Sequence, residues 1–256
     1  MVDLGFSQIQ ISFDGDCESH DKTRFLKATG GKTFAKILDN LDSLVALTPE
    51  EFKIDLRINV NKANENDFAV LYNKLMQRYG RKKINPYPGF IREDSNDGCK
   101  MCYKSLFNSK RYQFYKKIAK EGVPVDFFPH VVTQKGCMVN QNNSFIIGPD
   151  GEMYKCWNDF NMPNKIIGYI RDKQLKNPSL VCHYLYDTSV YNSPKCKECS
   201  LFPVCDGGCQ WLRHKNVFEG KVFNTCTFFN DQHILEECLF ANKEKLSESV
   251  HKVIAT

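Results

Sequence analysis

Cys196-Lys-Glu-Cys199-Ser-Leu-Phe-Pro-Val-Cys205-Asp-Gly-Gly-Cys209 puts four thiols in one short run, spaced C-x2-C-x5-C-x3-C. Thiols this close together converge on something, and their usual partners are metal ions or iron–sulfur clusters. The Gly207-Gly208 pair lets the backbone turn tightly before the last thiol. Cys137 and Cys156 precede the run and Cys226 follows it. These seven thiols are one short of the eight that two four-thiolate sites need.

The rest of the composition narrows the setting. The chain has 256 residues, 12 of them cysteine, and opens Met1-Val-Asp-Leu-Gly-Phe6, which is not a secretory signal. Many thiols without such a signal point to a reducing, cytoplasmic compartment, and so to metal ligation over disulfides. The formal charge of +5 is mild and its lysines are scattered. No basic stripe with interleaved aromatics suggests nucleic acid, and no apolar run reaches membrane-spanning length. A hydrophobic fraction of 42% supports a sizeable core.

Upstream of the thiols the pattern is a strand–helix repeat. Gln8 to Asp14 alternates, with Gln8, Gln10, Ser12 and Asp14 on one face and Ile9, Ile11 and Phe13 on the other. A polar loop with His20, Asp21 and Arg24 follows. The periodicity predicts a helix from about Thr33, as N-cap, to Leu47. A second alternating strand spans Lys53 to Val60, with Asp55, Arg57 and Asn59 on one face. Asn64 is read as the cap of a helix through Tyr79. Ile84 to Ile91 reads as a third strand broken by Pro86 and Pro88, and Asn108 to Glu121 as a further helix capped by Asn108. This order implies an α/β fold with a parallel sheet. A parallel strand covered on both faces is ordinarily apolar on both. Here one face is polar, so it either lines a water-filled lumen or belongs to an antiparallel sheet with one wet side.

Beyond residue 122 the texture changes. Ser144 to Cys156 reads as a hairpin around Pro149-Asp150-Gly151, and Ile166 to Ile170 as a short strand. A helical tail is expected from about Thr227 to Ala255, with Ile234, Leu235, Leu239 and Phe240 periodic. The expected divisions are residues 1–122, a linker at 123–135, the cysteine-rich part at 136–228, and a terminal helix at 229–256.

The thiol pattern resembles the SPASM branch of the radical S-adenosylmethionine (radical SAM) enzymes. Cys137 is followed by thirteen residues, Gly151, four residues and Cys156, and then by Cys196, Cys199, Cys205, Cys209 and Cys226. All seven positions match that branch. Gln10-Ile-Ser-Phe-Asp-Gly15, His20-Asp21-Lys-Thr-Arg24 and Leu56-Arg-Ile-Asn-Val60 are similar to the fourth and fifth strand regions of its partial barrel. The resemblance implies a half (β/α) barrel followed by a SPASM domain holding two auxiliary [4Fe-4S] clusters. Cys196, Cys199, Cys205 and Cys226 would hold the outer cluster, and Cys137, Cys156 and Cys209 the inner one. The inner fourth position is either open or filled by Cys99, Cys102 or Cys182, while Cys17 and Cys238 read as incidental. Ser12 and Asp14 would approach the ribose and methionine portions of S-adenosylmethionine. Arg57 and Asn59 would lie on the next inward face, where the guanidinium pairs with a carboxylate. The alternative for Arg57 is a salt bridge to Asp55 or Asp14.

The chain departs from the family in one respect. The catalytic cluster of those enzymes needs a C-x3-C-x2-C loop, and here Cys17 is followed next by Cys99. By itself the chain is expected not to cleave S-adenosylmethionine, and to act as the C-terminal portion of an enzyme with a missing N-terminal half barrel. The expected partner is a peptide or protein substrate. In sulfatase-maturing members an Asp directly follows the second SPASM cysteine and acts as base. Here Trp157 and Asn158 intervene before Asp159, which favours modification of a ribosomally made peptide. The competing reading is a zinc-binding cysteine-rich interaction module, since thiolate spacing alone does not separate zinc from iron.

Overall fold

The computed structural model describes residues 4–80, 83–93, 103–104, 108–126, 137–202, 205, 207–226 and 230–254, with the backbone alone at 92–93, 103–104, 108–109 and 244–254. Cys99 and Cys102 lie outside the described residues, and the side chain of Asn108 is likewise not described. The chain divides into two compact units, Met1–Val125 and Asp126–Thr256.

The first unit is built on β1 (Gln8–Phe13), β2 (Lys53–Val60) and β3 (Ile84–Phe90), in spatial order β1-β2-β3. Both pairings are parallel, which removes the antiparallel alternative. Between the strands run α1 (Cys17–Thr23), α2 (Phe34–Leu47) and α3 (Phe68–Tyr79). After β3 come β4 (Arg92–Glu93), β5 (Tyr103–Lys104) and α4 (Asn108–Lys120), with β4 and β5 paired in parallel. The apolar strand positions Ile54, Leu56, Ile58 and Val60 share a core with Phe34 and Leu41 of α2, Leu71 and Leu75 of α3 and Ile118 of α4. Burying each such side chain is worth about 1.5–3 kcal/mol relative to exposure. The helices therefore take one face of the sheet and the polar residues keep the other.

Pro86 and Pro88 fit because β3 is an edge strand of this sheet. The Ile91 N–H donates to the Val60 carbonyl at 2.8 Å, so odd-numbered N–H groups face β2. The two prolines then fall where a missing N–H costs no ladder bond.

Two helix starts differ from the sequence expectation. Thr33 does sit at the α2 N-cap, but its side chain makes no cap bond. Asp21 Oδ1 instead accepts from the N–H groups of both Thr33 and Phe34 at 2.9 Å. Asn64 does not cap α3, which starts at Phe68 after Asp67. Asn64 is buried, and its Nδ2 donates to the carbonyls of Asp14 and Asn59, tying the C-terminal ends of β1 and β2 together. α1 falls in the stretch read as a loop: Asp16 accepts from the Ser19 N–H at 2.9 Å, and seven residues carry too little apolar period to announce a helix.

The second unit holds an antiparallel sheet of β6 (Ile146–Ile147), β7 (Glu152–Tyr154) and β8 (Gly168–Tyr169). Lys155, next along, is fully buried, with Nζ donating to the carbonyls of Gln141 and Ser144 and lying over the Phe145 ring. Then follow α5 (Pro178–Cys182), a π-helical turn at His183–Asp187, α6 (Pro194–Lys197), α7 (Gln210–Phe218) and α8 (Gln232–Ile254). Of the four periodic residues expected on α8, Ile234 is buried and Leu235 half-buried, but the other two are not. Ile234 and Cys238 are buried, whereas Leu239 and Phe240 are 47% and 67% exposed. Ile234 and Cys238, four residues apart, lie on one face of the helix. Among the described residues, no helix is long and apolar enough to cross a membrane.

Candidate metal centre and polar strand face

The four thiols of the outer set line one cavity. Cys196, Cys199, Cys205 and Cys226 surround about 310 Å³, together with Arg213, Gly207 and Val190. Local turns bring the first three round. The Cys199 N–H donates to the Cys196 carbonyl at 3.2 Å, Phe202 N–H to Cys199 at 3.0 Å, and Cys205 N–H to Phe202 at 3.4 Å. Cys226 arrives from another segment, its N–H held by Asn224 Oδ1 at 3.0 Å.

Gly207 and Gly208 make this approach possible. Both have positive φ, at 74° and 76°. A Cβ on Gly207 would lie 1.8 Å from Val190 Cγ1, and one on Gly208 would lie 1.9 Å from the Thr225 carbonyl oxygen. Two donors point at the sulfurs: Arg213 Nη2 to Cys196 Sγ at 3.0 Å, and the Gly207 N–H to Cys205 Sγ at 3.3 Å. Burial works against ionising Cys196, but the Ser193 hydroxyl, Arg213 and Lys195 outweigh it and lower the thiol's pKa.

Of the other three thiols, Cys156 lies within electrostatic reach of both Cys137 and Cys209. This side chain is buried, whereas Cys137 is exposed and Cys209 half-buried. Burial first, and then the negative charge of Asp159, Cys209 and Cys137, push the Cys156 thiol up to about 12, against the Asn158 N–H. Thiols that raise one another in this way are held protonated only until a cation takes them. Cys182, considered as a fourth ligand, is exposed at the end of α5. Among the described residues no three His, Cys, Asp or Glu side chains close on a single ion.

Asp159 is fully buried, within electrostatic reach of Cys156. It accepts from Tyr184 Oη at 2.8 Å and from Trp211 Nε1 at 3.1 Å. Both oxygens are therefore engaged, and burial raises its pKa above the ordinary carboxylate value despite Tyr184, Lys165 and Trp211. Nothing in the sequence marked Tyr184 or Trp211, because they lie 25 and 52 residues from their partner.

His214 sits behind Tyr184, 4% exposed, and neither ring nitrogen has a hydrogen-bond partner among the described residues. Burial first, then Lys165 and His183, lower its pKa to about 4, with Glu219 opposing. The unfolded ring takes up a proton below about 6.5, while the folded ring resists until about 4. Stability present at neutral pH is thus lost as pH falls through that window. Thermal melts should show Tm falling from pH 6.5 towards 4, and His214→Phe should flatten that part of the profile; equal slopes would contradict the assignment.

On the polar face of the first unit, Ser12, Arg57 and Tyr87 stand side by side in register, and Asn59 pairs with Gly89. Asp14 accepts three side-chain bonds: Arg24 Nε at 2.8 Å and Thr23 at 3.1 Å reach Oδ2, and Asn59 Nδ2 at 2.7 Å reaches Oδ1. Burial opposes its ionisation, but Arg24, Asn59 and Thr23 hold its carboxyl below the usual range. Asp55 is taken by Gln8 and Asn85. Arg57 therefore pairs with neither acid, and it makes no hydrogen bond or salt bridge among the described residues. Gly89 leaves room for it, since a Cβ there would lie 2.3 Å from Arg57 Nε. Asn59 Oδ1 is buried without a donor. An unpaired guanidinium and an open acceptor at the carboxyl ends of parallel strands can receive a carboxylate and a hydroxyl or amine.

No family model matches the chain. The cysteine-type anaerobic sulfatase-maturating enzyme of Clostridium novyi (strain NT) is 28% identical over 237 residues, which is 83% of this chain and 60% of that enzyme. The chain thus spans about 60% of the length of the curated relative it matches. Among solved structures, native anSMEcpe with bound AdoMet and Cp18Cys peptide has a TM-score of 0.61 at 16% identity, covering 95% of this chain and 70% of that one. Native anSMEcpe with bound AdoMet gives 0.62 at 16% identity, over 95% and 69% of the two chains. At that identity the likeness is one of fold, a mixed α/β architecture.

Proposed function

We propose that this chain supplies the auxiliary-cluster part and part of the S-adenosylmethionine-binding barrel of a radical SAM/SPASM-type enzyme that modifies a peptide or protein. The observation that carries this reading is the cavity of about 310 Å³ ringed by Cys196, Cys199, Cys205 and Cys226. Thiols arranged around a volume, and not converging on a point, suit a polynuclear cluster better than one zinc ion. The similarity to an anaerobic sulfatase-maturating enzyme supports it independently.

In this reading Cys196, Cys199, Cys205 and Cys226 hold one [4Fe-4S] cluster, and Cys137, Cys156 and Cys209 hold three positions of another. Such clusters supply one-electron transfer at potentials set by ligands, hydrogen bonds and burial. Arg57 receives the carboxylate of S-adenosylmethionine, and Ser12, Asp14 and Asn59 complete the polar wall. Asp14 acts through Arg24, Thr23 and Asn59, which it holds in place. Asp159, buried and bonded at both oxygens, orders Tyr184 and Trp211. Asp159 does not directly follow Cys156, which favours a peptide modification in which the base comes from elsewhere. The 256 residues hold no C-x3-C-x2-C loop, so radical generation is assigned to groups outside them.

Chain purified without air is expected to be brown and to carry about eight irons. A colourless protein with stoichiometric zinc would overturn this reading in favour of a zinc-bound interaction module.

A further inference from the structure

No sequence motif marks Arg213. It lies on α7, one turn beyond Cys209, with its N–H on the Cys209 carbonyl at 3.1 Å. The helix that begins at a thiol of the inner set therefore carries a cation to the outer set. Its guanidinium is held at two points: Nε donates to the Gly207 carbonyl at 2.7 Å, and Nη2 to Cys196 Sγ at 3.0 Å. Gly207 leaves the space for this, since a Cβ there would lie 3.1 Å from Arg213 Nη2. Arg213 makes no salt bridge among the described residues, so no carboxylate offsets its charge at the sulfur. It also walls a second cavity of about 560 Å³, shared with Cys196, Thr225 and Cys226 and lined by Asn192, Asn216 and Asn224. The guanidinium thus stands between the thiol cavity and a polar space beside it.

We propose that Arg213 is a positioning residue that sets the reduction potential of the outer cluster through its N–H···S bond to Cys196. The inference rests on the cluster reading above. Reduction adds one electron to the cluster, and hence negative charge to its sulfurs. A fixed cationic donor on one ligand stabilises the reduced state more than the oxidised one and raises the potential.

The test is an anaerobic redox titration of the chain with dithionite as electron donor, followed by electron paramagnetic resonance. The wild type is compared with Arg213→Met and Arg213→Lys. Arg213→Met is expected to keep its iron and to lose about tenfold in preference for the reduced state. For a one-electron couple that is about 59 mV to lower potential. Arg213→Lys, which keeps the charge but not the two-point hold, should shift less, and the inner signal should not move. An iron-replete variant of either kind with the wild-type potential overturns the proposal. So does loss of the outer cluster from both variants, which would make Arg213 a structural clamp. Failure of the underlying reading looks different: the wild-type chain itself then holds fewer than two clusters, and both ideas fall together.

Discussion

Cys199→Ala combined with Cys226→Ala should remove about half the iron, leaving about four atoms per chain. The two residues come from separate segments and face the same cavity. Removing both takes two of the four thiols from the cavity at once. The inner thiols Cys137, Cys156 and Cys209 are left in place in this variant. The complementary Cys156→Ala should remove the other half. Because cluster binding is folding energy for the segments it joins, each variant should also melt below the wild type. Iron assay with Mössbauer spectroscopy reads the count. Loss of all iron from the outer double variant, or of none, would contradict two separate sites.

Gly208→Ala touches no thiol, yet it should cost nearly as much. Its Cβ would meet the Thr225 carbonyl oxygen at 1.9 Å, next to Cys226, in a backbone with φ of +76°. A methyl group cannot be accommodated there by a flexible side chain. The Thr225–Cys226 segment must withdraw, and the fourth thiol goes with it. Strain and overpacking together should destabilise the second unit by about 2–4 kcal/mol. Gly220→Ala is the control. Its φ is also positive, at +63°, but a Cβ there meets nothing within 4 Å. It should show the conformational penalty alone, about 1 kcal/mol. Thermal melts and iron content measured side by side separate the two effects. If Gly208→Ala keeps full iron and melts with Gly220→Ala, the close approach is not what seats Cys226.

Much of the first unit was legible because its signals are local. The Lys53–Val60 alternation is a period that the strand itself imposes. Helix ends were less legible. Asp21 satisfies the start of α2 from twelve residues away, and Asn64 serves two strand ends and not its own helix. Such bonds depend on which loop the fold brings near, and local sequence does not encode that. On α8 the periodicity marks Ile234 correctly but not Leu239 or Phe240, because the choice between Cys238 and Phe240 is made by the surface the helix packs on.

What residue order alone put forward is the group of thiols, since short turns over the C-x2-C-x5-C stretch bring Cys196, Cys199 and Cys205 round one cavity. It also determined the polar row on β1 and β2, because side chains two apart on a strand must share a face. Tertiary structure decided the rest. It left Arg57 unpaired by giving Asp14 and Asp55 to other donors, set Asp159 between Tyr184 and Trp211, and brought Arg213 onto Cys196. Each of these pairs a buried or charged group with a partner from another element. A hydrogen bond acts over about 3 Å of space whatever the separation along the chain, so only the folded path could say which groups would meet.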